Sequence, residues 1–148
     1  MSDRSDALTA WEALFRAQVT VLRELGAEFP TGQLSLTEYD VLFNLSRQPG
    51  HQARIRDLTK QLLITQPSVS RLIDRLAARG LVTKQTDADD ARGIIVTLTG
   101  DGYGLFRRVA VDHAASIQRR VGSALSTEEL RTLTVLCDKL RRAEDTPG

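Results

Sequence analysis

Apolar positions recur along most of the chain at the three-and-four spacing that buries one stripe of a helix, interrupted by two short β-branched runs. Leu8, Trp11, Phe15, Val19, Leu22 and Leu25 predict a first helix over 6–27, about six turns long, broken by Phe29-Pro30-Thr31-Gly32. A second helix is expected to open at Thr37, with Asp40 completing a capping box and Leu36 and Val41 in the hydrophobic-staple positions. It turns Val41, Leu42 and Leu45 inward and ends before Pro49-Gly50. Ile55, Leu58 and Leu62 mark a short third helix; Val69, Leu72, Ile73 and Leu76 form the stripe of a fourth. Thr65 suits the fourth helix's N-cap, Pro67 costs little in its first turn, and Gly80 suits the left-handed residue that stops it. Leu81 can then fold back onto Leu76.

Polar positions on the fourth helix carry the chemistry. Ser68, Arg71 and Arg75 share one flank by the same spacing, with Ser70 also off the apolar stripe. Hydroxyls and guanidinium forks bond base edges and phosphates. Only Leu63 and Ile64 separate the third and fourth patterns, so the pair reads as a helix-turn-helix whose second member lies in a DNA major groove. Next, 81–86 and 94–98 read as strands around the polar turn Asp87-Ala88-Asp89-Asp90-Ala91-Arg92-Gly93. A hairpin straight after a recognition helix is a wing, and Arg92 near its tip is suited to an adjacent minor groove.

The flanks are helical again. Thr99 is placed to cap a long helix whose stripe runs Leu105, Phe106, Val109, Ala110, Ala114, Ile117 and Val121. Ser126 with Glu129 forms a capping box and Leu125 with Leu130 a staple, opening a last helix that presents Leu130, Leu133, Cys137 and Leu140 at heptad-like spacing. The fold class is therefore mainly α with a small β-hairpin. A winged helix-turn-helix occupies 36–98, and 6–27 with 100–143 form a helical region folded with it as a single domain. Those outer apolar faces cover either the central segment or a second copy, and periodicity leaves both open. A lone recognition helix reads few base pairs, whereas a two-fold dimer doubles the contacts and fixes half-site spacing. A homodimer is expected, held by Leu8, Trp11, Phe15, Leu130, Leu133, Cys137 and Leu140.

Composition narrows the picture without deciding it. At 148 residues the chain fits one domain with helical extensions, and no run approaches the length of a membrane span. No signal peptide is visible, and one cysteine, Cys137, precludes an internal disulfide, so a cytoplasmic setting is expected. Net charge is only +1. Its distribution matters more: 54–92 holds eight Lys/Arg against five Asp/Glu, or +3, and the remainder twelve against fourteen, or −2. Asp87, Asp89 and Asp90 crowd the wing, where they read as turn formers, or in the case of Asp90 as a brace for a neighbouring arginine.

Taken in order, these features resemble the MarR family (multiple antibiotic resistance regulators). The match runs over about 36–102: Leu36-Thr37, the PSVSRLIDRL run from Pro67 to Leu76, Gly80-Leu81-Val82, Asp90-Ala91-Arg92-Gly93, and Leu98-Thr99 with Gly102. The resemblance implies a triangular homodimer whose terminal helices form the dimer lobe and whose two winged helices grip a pseudo-palindromic operator in double-stranded DNA. It implies a regulator, usually a repressor, released by a small phenolic or other aromatic effector or by an oxidant. Carried over by position, Gln66, Ser68, Ser70, Arg71 and Arg75 meet the major groove or its edges, Lys84 a phosphate and Arg92 the minor groove; Thr65 completes the DNA-contact set. The chain departs from the pattern at Ala91, where many relatives are basic, and in having no cysteine in its first helix, which counts against oxidant sensing.

Other readings are blander. Arg71 and Arg75 as solvated surface, paired with Asp74, is the ordinary fate of helical arginines. Cys137 on an apolar stripe reads as a structural thiol rather than a sensor. His51 and His113 have no second ligand at a metal spacing, so neither a metal nor a cofactor is expected. Gly100-Asp101-Gly102-Tyr103-Gly104 is a helix entrance, since Leu105 occupies the third-glycine place of a dinucleotide loop. Trp11, Phe15, Tyr39 and Phe43 suit either an effector pocket or plain core, leaving effector-binding residues unassigned. No catalytic constellation is present in the sequence, so an enzyme is not expected. The competing function is a winged-helix protein-interaction module without DNA specificity, supported by the near-neutral charge.

Overall fold

The computed structural model describes residues 3–62, 66–90 and 92–143, with only the backbone of Gln66. The expected junction at Leu63-Ile64, the Thr65 cap and Ala91 lie outside the described residues. The described chain divides into two compact units, 29–112 and the pair of segments 3–28 and 113–143.

The first unit is built on helix α2 (Leu36–Ser46), strand β1 (Gln52–Arg54), helix α3 (Ile55–Lys60), helix α4 (Gln66–Ala78) and strands β2 (Val82–Thr86) and β3 (Ile94–Leu98). Its core is the set the periodicity selected. Val41, Leu42 and Leu45 of α2, Leu58 of α3, Val69, Ile73 and Leu76 of α4, and Val82 and Val96 of the hairpin are essentially sealed from water. The capping box of α2 lies two residues earlier than Thr37. Ser35 is the N-cap, its Oγ accepting from the Glu38 amide at 3.1 Å while Glu38 Oε1 accepts from the Ser35 amide at 2.9 Å. That frame puts Leu34 and Tyr39, both buried, at the staple positions in place of Leu36 and Val41. Asp40 instead accepts from Asn44 Nδ2 at 3.2 Å.

The sheet has three strands rather than the expected two, in the order β1-β3-β2, all antiparallel. Gln52 to Arg54 pair with Thr97 to Ile95, and Val82 to Thr86 with Leu98 to Ile94. The added strand leaves a 3-10 turn, Pro49–His51, in which Gly50 and His51 both take left-handed φ, and leads directly into α3.

Helix α5 (Gly100–Ile117) opens as expected, with the Gly102 amide donating to Thr99 Oγ1 at 3.0 Å, and the division between units falls within it. Rather than continuing to Val121 as α-helix it ends in a π-helical turn, Gln118–Gly122. Helix α6 (Thr127–Arg142) starts at the expected Ser126–Glu129 capping box. In this second unit, helix α1 (Arg4–Glu28) is tied to the end of α5 and the π turn through Glu28. Glu28 accepts from Ser116 Oγ at 2.6 Å and pairs with Arg119 at 3.5 Å and with Arg120. These hydrogen bonds and cations hold its carboxyl below the ordinary glutamate value. Neither α1 nor α6 buries a single described residue completely.

Candidate nucleic-acid interface

Helix α4 presents two chemically distinct sides. Val69, Leu72, Ile73 and Leu76 are at most 2% exposed, and that stripe fixes which face remains for solvent. At the 3.6-residue period the middle of the open face falls at Pro67 and Ala78, with Asp74 close on one side of it and Arg71 and then Arg75 on the other. Arg71, Asp74 and Arg75 are exposed, and Ser68 and Ser70 are half-buried at the margins. The helix stops as foreseen: Gly80 adopts φ +75°, its amide donates to Ala77 O at 3.0 Å, and the Leu81 amide reaches Leu76 O at 3.0 Å. That double bond is the Schellman arrangement, and it brings Leu81 onto the core beneath α4.

Partnering separates the cations. Arg54, Arg56, Arg79 and Lys84 are each paired with a carboxylate. Arg79, for instance, binds Glu38 Oε2 at 3.2 Å and donates to Gln33 O at 2.7 Å, tying the end of α4 to the cap of α2. By contrast Arg71 donates only to Ser68 Oγ at 3.2 Å, and the side chains of Arg75 and Arg92 have no ion pair among the described residues. Exposed guanidinium groups without a counterion remain available to phosphate or base edges.

Lys84, expected on a phosphate, is held by Asp74 Oδ1 across the gap between β2 and α4. Asp74 therefore does not pair with Arg71 or Arg75. Both partners are substantially exposed, 39% for the lysine and 60% for the aspartate. A sequence separation of ten places this pair beyond any helical spacing rule.

The wing is braced from the side of β1. Asp87, only 4% exposed, stands 2.7 Å from Arg54 Nε at ion-pair distance but outside hydrogen-bond alignment, while its Oδ1 accepts from the Asp89 amide at 3.0 Å. Asp90 Oδ1 accepts from the Arg92 amide at 3.0 Å, and its Oδ2 lies 3.9 Å from Arg56. Two backbone bonds, Asp87 N to Gly93 O and Gly93 N to Asp90 O, each 2.9 Å, close the turn. The wing acids thus act both as turn formers and as braces, and Arg92 is presented, exposed, by the turn they shape. The contributions of Arg54 and Arg56 left no sign in the sequence, because both precede the turn at Asp87 by more than thirty residues.

The aromatic candidates separate by unit. Tyr39 and Phe43 belong to a cluster with Phe29, Tyr103 and Phe106, ring centroids 5.2–6.4 Å apart, in which Tyr39 is 9% exposed. They fill core. Trp11 and Phe15 form a tilted pair at 5.8 Å on α1, both at least half exposed. On α6, Leu133 and Leu140 are exposed, and Leu130 and Cys137 are half-buried. His51 stacks on Tyr103 at 5.2 Å, and burial holds the His113 imidazole below its ordinary pKa. Among the described residues no group of three potential metal ligands comes together, and no helix is long and apolar enough to cross a membrane.

Comparison with known proteins places this geometry. A family model described as MarR family matches residues 33–93. The fold is similar to that of Sco3205, a MarR family transcriptional regulator from Streptomyces coelicolor solved in complex with DNA (TM-score 0.77, 22% identity, 97% of this chain and 90% of that one). AbsC, a MarR family transcriptional regulator of the same organism, is similar at TM-score 0.74 and 26% identity, covering 95% and 97%. BpsR of Bordetella bronchiseptica, whose DNA binding is regulated by 6-hydroxynicotinic acid, is similar at TM-score 0.72 and 28% identity, covering 92% and 93%.

Proposed function

We propose that the chain is a member of the MarR family and a sequence-specific DNA-binding transcriptional regulator that represses a nearby gene until a small aromatic effector releases it. One observation carries the reading: among the described residues the open face of α4 holds Arg71 and Arg75 without a carboxylate partner, beside a wing whose braced turn displays Arg92 in the same state. Ser68, Ser70, Arg71 and Arg75 then read base edges and phosphates in a major groove, with the Gln66 and Thr65 positions at its rim, and Arg92 enters the neighbouring minor groove. The protein acts as a homodimer on a pseudo-palindromic operator in the cytoplasm, joined through the terminal helices. An aromatic acid or phenol as effector is supported by the likeness to BpsR.

Selection of bound duplexes from a random pool, followed by gel-shift titration across salt concentrations, tests this. The expected site is two-fold symmetric, and log affinity falls with log salt by about 0.9 per phosphate contact. Arg75→Ala is expected to cost about 1–3 kcal/mol on the selected site and to relax preference at one base pair in each half-site. A folded chain that recovers no preferred duplex, or binds with no salt dependence, overturns the proposal in favour of a protein-interaction module.

A further inference from the structure

Asp74 is an anion on the open face of α4, as near its middle as Arg71 is on the other side. On α4 the apolar stripe of Val69, Leu72, Ile73 and Leu76 faces inward, so a residue opposite it points at whatever occupies the groove. A carboxylate there is repelled by every phosphate it approaches, yet it is 60% exposed, so no packing requirement accounts for it. Its partner, Lys84, comes from the first strand of the wing, and the two are joined directly.

Resting on the proposed DNA-binding role, we infer that Asp74 is a specificity-determining residue: it holds Lys84 away from the phosphate backbone and itself repels phosphate wherever Arg71 and Arg75 do not find their bases. A lysine contact to phosphate is blind to sequence and strengthens binding to any duplex equally. With Lys84 engaged by Asp74, the pair contributes almost no net charge to the interface. Binding then depends on the unpaired guanidinium groups of Arg71, Arg75 and Arg92, of which the two on α4 reach base edges. The same carboxylate penalises close approach wherever Arg71 and Arg75 do not find their bases. Withholding Lys84 lowers both affinities alike, whereas the carboxylate's repulsion subtracts from non-specific binding more than from specific binding, and that difference sets the ratio between them. Joining α4 to β2 also keeps helix and wing in one register on the duplex.

The experiment compares wild type, Asp74→Asn, Lys84→Gln and the double variant on the selected operator and on a random-sequence duplex, from about 50 to 200 mM salt. Asp74→Asn frees Lys84, so its salt slope should steepen by about 0.9 on both duplexes. Its affinity for the random duplex should rise at least threefold at the low-salt end, with a smaller rise on the operator and hence a lower specificity ratio. Lys84→Gln alone should keep the wild-type slope, and the double variant should return to it. Thermal unfolding of all four chains identifies any variant that has lost its fold, and Asp74→Ser, smaller and uncharged at a site 60% exposed, then takes its place. A Lys84→Gln slope shallower by about 0.9, or an Asp74 variant with unmoved slope and ratio, overturns the inference while leaving DNA binding intact. A wild-type chain that binds neither duplex overturns the regulator itself.

Discussion

A single missing carbon at Gly102 lets the start of α5 lie against the exit of α4. A Cβ there would sit 2.1 Å from Leu81 O and 2.9 Å from Leu81 C, backbone contacts that only a backbone shift relieves. Gly102→Ala is therefore expected to cost about 3 kcal/mol. Gly104→Ala, one position class away in the same helix and meeting only Arg108 Nη1 at 3.5 Å, should gain about 0.5–1 kcal/mol. Urea unfolding of the two variants checks both signs. Gly102 was visible in the sequence as part of a motif, but its reason was not, since the carbonyl it accommodates is twenty-one residues away. His113 makes a second prediction at this scale. Burial holds its folded pKa below the ordinary 6.5, so between 6.5 and that lower value the unfolded chain binds the extra proton. Stability contributed by the neutral imidazole is complete above 6.5 and is lost as pH falls through that window. His113→Gln should remove this component, seen as a flatter dependence of unfolding free energy on pH. Glu28 acts separately and lower: its stabilisation is present above the ordinary 4.5 and is lost as pH falls through its depressed folded value.

Among the elements, β1 changes the account of the wing most. Three residues, Gln52-Ala53-Arg54, are too few to show a period-two pattern, which is why only the hairpin was legible. Once β1 pairs with β3, Arg54 is carried to the buried carboxylate of Asp87, and α3 carries Arg56 to Asp90. Removing the first cation strands a charge that is 4% exposed, although Arg54 itself is 34% exposed and partly screened. Arg54→Ala is expected to cost about 1–3 kcal/mol, whereas Arg56→Ala, whose pair is exposed and 3.9 Å long, should cost below about 1 kcal/mol. Chemical denaturation distinguishes them; equal losses would contradict the assignment of Asp87 as the buried partner. The same contrast explains what else was readable. Helix α4 announces its stripe and its stop, and α6 its capping box, within a few residues, so these were legible. The α2 cap was displaced because Ser35–Glu38 and Thr37–Asp40 both satisfy the local rule, and only the burial of Leu34 selects between them. The Asp74–Lys84 and Arg79–Glu38 pairs depend on tertiary placement, which no spacing rule reaches.

For the whole molecule, the terminal unit leaves an apolar surface that a single chain does not cover. Leu8, Trp11 and Phe15 on α1 are 62%, 61% and 50% exposed, and Leu133 and Leu140 on α6 are 41% and 60% exposed. Leu136, at 53%, joins them, though it lies off the heptad-like stripe read from the sequence. Clustered exposure of large side chains on this scale marks a partner surface, and a second copy supplies the same faces in return. The chain is expected to sediment as a dimer of twice its 16.4 kDa mass. Trp11→Glu combined with Leu140→Glu should yield monomer, since each places a charge where desolvation would otherwise be favourable. Far-ultraviolet circular dichroism should stay helical, because neither residue belongs to the buried core. DNA binding should respond differently for the two kinds of duplex. The monomer retains α4 and the wing, so its contact with a single half-site is preserved, but joining two half-sites through one dimer multiplies affinity by about a hundredfold or more. Operator affinity should therefore fall by that factor while affinity for an isolated half-site stays within about threefold. A wild-type monomer by analytical ultracentrifugation, or equal losses on both duplexes, would mean that the exposed stripe serves some other contact and that the two-fold symmetry of the operator has no counterpart in the protein.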